Sequence, residues 1–117
     1  YNCFVRENTQ IPFMTMPDAI GAIIKIMNSP QQNFKQSIYN IRSFAPTAEE
    51  FRQKILEFLP NAEIGYDINE KRQEMVDGWP MDIDDSAAKT EWGWKSRHNL
   101  DKGLSEYLIP ELKQMYF

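Results

Sequence analysis

Proton transfer, metal binding and nucleophilic attack each need particular side chains brought together, and this sequence offers few of them. His98 is the only histidine and stands in the polar run Ser96-Arg97-His98-Asn99. One imidazole in a loop supplies neither a metal-ligand set nor a Ser/His/Asp arrangement, so His98 reads as a solvated loop residue. Asp82, Asp84 and Asp85 have the spacing of paired carboxylates for acid and base work. They stand just before Ser86 and an alanine pair, where carboxylates cap a helix and favour its positive end, and capping is the reading adopted. Cys3 is the single cysteine. It excludes an internal disulfide, suits a reducing compartment such as the cytoplasm, and with Phe4 and Val5 beside it reads as a buried, inert thiol.

Two arrangements that serve dinucleotide enzymes are missing. A phosphate-cradling loop needs clustered glycines between a strand and a helix, so that backbone N–H groups can approach the pyrophosphate. The five glycines stand at 21, 65, 78, 93 and 103, far apart. A tyrosine with a lysine one helical turn later would lower the phenol pKa for proton transfer. The residues four after Tyr1, Tyr39, Tyr66 and Tyr107 are Val5, Ser43, Glu70 and Glu111. No catalytic residue and no cofactor-binding residue is therefore assigned within the chain.

Trp79 is the one candidate binding residue. It sits between Gly78 and Pro80, where neither helical nor strand periodicity places an indole. Two readings stay open: a core anchor, or a lid that shuts water from a small bound substrate. Trp92 and Trp94 flank a turn beside apolar helices and read as core.

The elements that must carry these residues follow from local pattern. Asp18 reads as the N-terminal cap of a helix over residues 19–27, with Ile20, Ile23, Ile24 and Met27 at helical spacing. Ala19, Ala22 and Ile26 widen its apolar surface beyond one stripe, as in a helix buried between two layers. Ser37-Ile38-Tyr39-Asn40-Ile41 reads as a strand. Thr47-Ala48-Glu49-Glu50 matches a capping box opening a second helix, with Phe51, Ile55, Phe58 and Leu59 on one face and Pro60 closing it. Residues 62–66 give a weaker strand, 70–76 and 87–92 short helices, and the last helix opens at Leu100 with a kink expected at Pro110. Strands and helices alternate, which points to an α/β fold.

Composition sets the outer limits. A chain of 117 residues, 42% apolar and 13% aromatic, suits one domain with a modest core. The formal charge is -4, and the 13 lysines and arginines are scattered among acids, so nucleic acid is not an expected partner. The longest nearly apolar stretch, residues 19–27, is interrupted by Lys25 and falls short of the roughly 20 residues of a membrane helix. The chain starts at Tyr1 in strand-like sequence without an initiator methionine, and reads as an excerpt.

Three stretches, Met16-Pro17-Asp18-Ala19, then Tyr39-Asn40 with Pro46-Thr47-Ala48-Glu49-Glu50, then Arg72-Gln73 through Trp94, resemble in their order the C-terminal part of extended short-chain dehydrogenases. The last, holding Asp77-Gly78-Trp79-Pro80, Ile83-Asp84-Asp85-Ser86 and Glu91-Trp92-Gly93-Trp94, is most similar to the NAD-dependent L-threonine 3-dehydrogenase family within the epimerase/dehydratase superfamily. The resemblance implies an α/β C-terminal substrate-binding lobe with a Rossmann-type parent, whose nucleotide-binding domain is absent from residues 1–117. It implies a parent enzyme that oxidises the L-threonine hydroxyl to a ketone with NAD, in amino-acid catabolism. By the same implication Trp79 approaches the substrate, and the glycine loop and Tyr/Lys pair precede Tyr1. The isolated chain is then expected neither to bind NAD nor to turn over, and to self-associate where it would meet the missing domain. Gly78 and Thr15 depart from the family, which usually has Ser and often Tyr there.

Sugar-nucleotide epimerases share the fold, and many carry an arginine seven residues before the helix-starting aspartate, where it pairs with a diphosphate. Counting back from Asp18 reaches Ile11, which favours a small amino-acid substrate. Arg72 is the other phosphate-ligand candidate, but within Lys71-Arg72-Gln73 it is more simply part of a solvated helix face. A non-catalytic interaction module is the third reading.

Overall fold

The computed structural model describes all residues, 1–117. Strand β1 (Asn2–Cys3) pairs in parallel with β2 (Gly65–Tyr66), Asn2 opposite Gly65 and Cys3 opposite Tyr66. Between them lie helices α1 (Met16–Met27) and α2 (Ala48–Phe58); after β2 come α3 (Glu70–Asp77), α4 (Ser86–Trp92), and a last helical run of α5 (Leu100–Lys102), a π-helical turn Gly103–Leu108, and α6 (Ile109–Tyr116). The fold is small α/β with an open two-stranded sheet. A parallel pair requires a long crossover, and the two helices between β1 and β2 supply it.

Helix α2 starts as its sequence requires: the Glu50 amide donates to Thr47 Oγ1 at 3.1 Å, and the Thr47 amide donates to Glu50 Oε2 at 2.8 Å. Gly93, at φ 68°, closes α4 in the left-handed conformation that a Cβ would oppose. The Asn69 side chain accepts from the Arg72 amide and caps α3.

Three expectations are corrected. Asp18 is not the cap of α1: Thr15 holds that position, and Asp18 lies a turn inside, buried. Residues 37–41 are not a strand, because no chain lies alongside to accept their backbone bonds; Ile38 is 80% exposed. The strand at 62–66 shrinks to its last two residues. In the helical run at 100–116, the turn before Pro110 widens into π geometry, which relieves the clash between the proline ring and the preceding carbonyls.

The main core joins Ala22 of α1, Ala88 and Trp92 of α4, and Trp94, with Ile26, Phe34 and Tyr39 packed on it. Tyr39 meets Trp92 edge to face, and its hydroxyl donates to Glu91 in a very short bond. Burial and that carboxylate raise the Tyr39 pKa above the ordinary phenol value. Helix α1 is covered on one side only. Met16, Ile20, Ile23, Ile24 and Met27 are each more than half exposed, as its broad apolar surface led one to expect in the absence of a second layer. The body measures 50 × 34 × 18 Å.

Candidate functional site

Trp79 follows α3 directly. Buried Gln73 fixes that helix: its side-chain amide donates to Thr9 Oγ1 at 3.0 Å and to Asp77 Oδ1 at 2.7 Å, while its Oε1 accepts from the Arg6 amide at 2.7 Å. The Trp79 amide then donates to the Val76 carbonyl at 2.9 Å, which carries the helical turn into the loop. Downstream the loop is held by Arg42, whose Nε and Nη2 donate to the two oxygens of Asp82 at 2.6 and 3.2 Å. Asp82 Oδ1 also accepts from the Ile83 amide. Burial disfavours the Asp82 carboxylate, but that amide and the Arg42 guanidinium hold its pKa below the ordinary value. Anchored at both ends, the loop leaves the Trp79 side chain 49% exposed.

Its other side lines a cavity of about 370 Å³. Phe4 and Val5 beside β1, Phe13, Phe51 and Ile55 of α2, Ile64, and Met75 and Val76 of α3 form most of the wall, and Ile11 belongs to it. Such a wall is mostly hydrocarbon and offers little to an ammonium or carboxylate, whose burial without partners is costly. Trp79 thus stands at a boundary between an apolar interior and solvent, the placement a lid residue requires.

The three aspartates are not brought together as a catalytic pair. Asp82 is bound to Arg42. Asp84 Oδ1 accepts from the Ser86 amide at 2.9 Å, as a capping carboxylate does. Asp85 occupies the cap position without capping: Oδ2 accepts from Trp94 Nε1 at 3.2 Å and Oδ1 pairs with Lys89 at 2.7 Å. Arg72 lies over the Phe4 ring, 4.9 Å from its centroid, on the exposed side of α3. Cys3 is half-buried rather than buried.

Sequence reasoning missed the buried polar cluster around His98, which is 2% exposed and not a solvated loop residue. Thr15 Oγ1 lies 2.8 Å from His98 Nδ1 and accepts from the Asp18 amide at 3.4 Å. Which of the two groups donates in this contact depends on the imidazole tautomer. Tyr107 stacks on the imidazole. Asp18 accepts from the Ser43 hydroxyl at 2.5 Å and from the amides of Arg97 and His98 at 2.7 and 3.2 Å. Burial opposes the Asp18 charge, but these bonds, with His98 nearby, lower its pKa overall. The cluster ties the start of α1 to two distant loops. Thr15 therefore serves as cap and as partner of His98.

The comparisons with known proteins agree with this geometry. No family model matches the chain. The mitochondrial L-threonine 3-dehydrogenase of Bos taurus is 34% identical over 112 residues, 96% of this chain and 28% of the relative. An uncharacterised epimerase/dehydratase of Staphylococcus saprophyticus is 33% identical over 101 residues, 86% of this chain and 32% of the relative. A solved structure, the holo form of a GalE-like L-threonine dehydrogenase from Cupriavidus necator, superposes with a TM-score of 0.86 at 36% identity, over 95% of this chain and 36% of that one.

The chain is homologous to the C-terminal third of these proteins.

It spans about a third of the length of the L-threonine 3-dehydrogenases and epimerase/dehydratases it matches. The family is NAD-dependent, and residues 1–117 do not fit a dinucleotide. Neither strand leads through a glycine cluster into a helix, and α1 opens with Thr15, Met16 and Pro17. The cradle is not built from these residues. No three His, Cys, Asp or Glu side chains converge on a common point, and no helix is long and apolar enough to cross a membrane.

Proposed function

We propose that residues 1–117 form, as a single unit, the substrate-facing C-terminal region of a larger enzyme that oxidises the side-chain hydroxyl of L-threonine, giving 2-amino-3-ketobutyrate. NAD, held by residues outside this region, supplies the hydride acceptor. Taken alone, residues 1–117 neither bind NAD nor turn over.

The observation that carries the reading is the setting of Trp79: an indole on a loop clamped by Gln73 and Arg42, half exposed and backed by an apolar wall. Its role is to cover the bound amino acid and exclude water. It contributes no proton. The names carried by the Bos taurus and Cupriavidus necator relatives support L-threonine as the substrate. Cys3, half-buried and without a disulfide partner, fits a reducing compartment such as the cytoplasm.

The staphylococcal relatives keep a second reading in view, a sugar-nucleotide epimerase or dehydratase. Against it, Ile11 stands seven residues before Asp18, where many sugar-nucleotide epimerases carry an arginine that pairs with the diphosphate. The test is NADH formation by the natural-length protein with L-threonine and, separately, interconversion of UDP-glucose and UDP-galactose. Threonine-dependent NADH formation supports the first reading. Interconversion without it replaces the first by the second.

A further inference from the structure

The cavity behind Trp79 is larger than a lid residue needs, and its chemistry is not that of an amino-acid site. At about 370 Å³ it exceeds by more than a factor of two the roughly 150 Å³ apolar cavity that is known to admit one benzene ring. It falls within the range of small-molecule sites, about 300–1,000 Å³.

Four of the polar side chains on its wall, Thr9, Thr47, Arg52 and Tyr66, are already engaged within the protein. Thr9 exchanges hydrogen bonds with Gln73. Thr47 Oγ1 accepts from the Glu50 amide. Arg52 donates through Nε to the Ile64 carbonyl and through Nη1 to Glu49, and the Tyr66 hydroxyl donates to Glu49 at 2.7 Å. An inserted peptide segment would bury its own N–H and C=O groups against this wall without partners. An ordered water, which needs two to four polar partners, is equally disfavoured. A charged amino acid fares worse.

We propose that this cavity is a binding site for an uncharged, predominantly hydrocarbon molecule of one or two rings. Because Trp79 forms part of the wall, an occupant touches the lid loop from behind. The site depends on the cavity alone and stands whether or not L-threonine is the substrate.

The test uses toluene and naphthalene as probes, with methyl-resolved NMR of the natural-length protein. Saturable shifts at the methyls of Val5, Ile11, Ile55, Ile64 and Val76 are expected, with a dissociation constant of about 1 mM or tighter. L-Threonine should leave those methyls unmoved. Ala48→Leu and Ile55→Phe, which place hydrocarbon in the cavity, should each weaken binding by about tenfold or more, and two variants guard against one that fails to fold. Absence of saturable shifts in the unmodified protein overturns the proposal. Shifts of equal size at Ile20, Ile23 and Ile24 on α1 also overturn it, since they would mark general adsorption to apolar surface. Displacement of the probe by L-threonine would also overturn it, since the cavity would then take the amino acid.

Discussion

Ser43 Oγ donates to Asp18 Oδ2 across 2.5 Å, and both side chains are buried. The bond joins the first turn of α1 to a loop 25 residues later, while the amides of Arg97 and His98 reach the same carboxylate from a third segment. One buried anion thus ties three segments together.

Asp18→Ala strands one hydroxyl and two amides at once. Each buried unsatisfied donor costs about 1–3 kcal/mol, so a loss of about 3 kcal/mol or more is expected in urea denaturation. Ser43→Ala should cost less, because the carboxylate keeps its two amides. A loss below about 1 kcal/mol for Asp18→Ala would mean that water replaces the carboxylate without penalty.

The lowered pKa of Asp18 has a direction in pH. A carboxylate whose folded pKa lies below its unfolded one contributes stability that is fully present above the unfolded value, about 3.9. That contribution is lost as pH falls through the folded value. Stability should therefore drop below about pH 4, and the drop should be shallower in Asp18→Asn. Parallel acid profiles for the two proteins would assign the acid sensitivity to other carboxylates, Glu49 and Glu91 among them, which are also lowered, chiefly by bonds from Tyr66 and Tyr39.

Trp79→Ala in the natural-length protein should reduce kcat/KM for L-threonine by more than about tenfold and leave NAD affinity nearly unchanged. Trp79→Phe should recover part of the loss. Unchanged steady-state constants with only a lowered Tm would return Trp79 to the role of core anchor.

A Cβ on Gly103 would lie 2.7 Å from Phe44 Cε1 and 3.1 Å from its Cζ. Gly103→Ala should cost about 1–3 kcal/mol by overpacking, and Phe44→Leu in the same protein should restore part of it. An alanine variant as stable as the parent would show that the Phe44 ring moves aside freely.

The exposed α1 face leads to self-association of residues 1–117 when isolated. Each large aliphatic left in water forgoes about 1.5–3 kcal/mol, and Ile20, Ile23 and Ile24 lie together on that face. Sedimentation at micromolar concentration should find dimers or larger species, reduced by Ile20→Lys with Ile24→Lys. A concentration-independent monomer would mean that the face is covered from within.

What the sequence made legible was mostly local. The Thr47 capping box, the α3 and α4 boundaries and the open face of α1 follow from spacing and cap chemistry that act within a few residues. The strand expected at residues 37–41 failed because a strand exists only beside a partner, and none of residues 1–117 runs there. His98 and Asp18 were misread for a related reason. Their burial depends on Thr15, Ser43 and Tyr107, which no local window includes. The one usable signal was a Thr three residues before Asp18, which marks the cap one turn earlier. The Trp79 loop was singled out because Gly78 and Pro80 bracket an indole, whereas the clamps at Gln73 and Arg42 are long-range contacts and were invisible.

The central claim, that this chain faces L-threonine in an NAD-dependent oxidation, is tested most directly with L-threonine deuterated at C3. The natural-length protein is incubated with NAD and this substrate, and the reduced nicotinamide is examined by mass spectrometry. The account predicts one deuterium per reduced nicotinamide and a matching amount of 2-amino-3-ketobutyrate or the aminoacetone it forms on decarboxylation. No reduction of NAD with L-threonine, or reduced nicotinamide without deuterium, would contradict it.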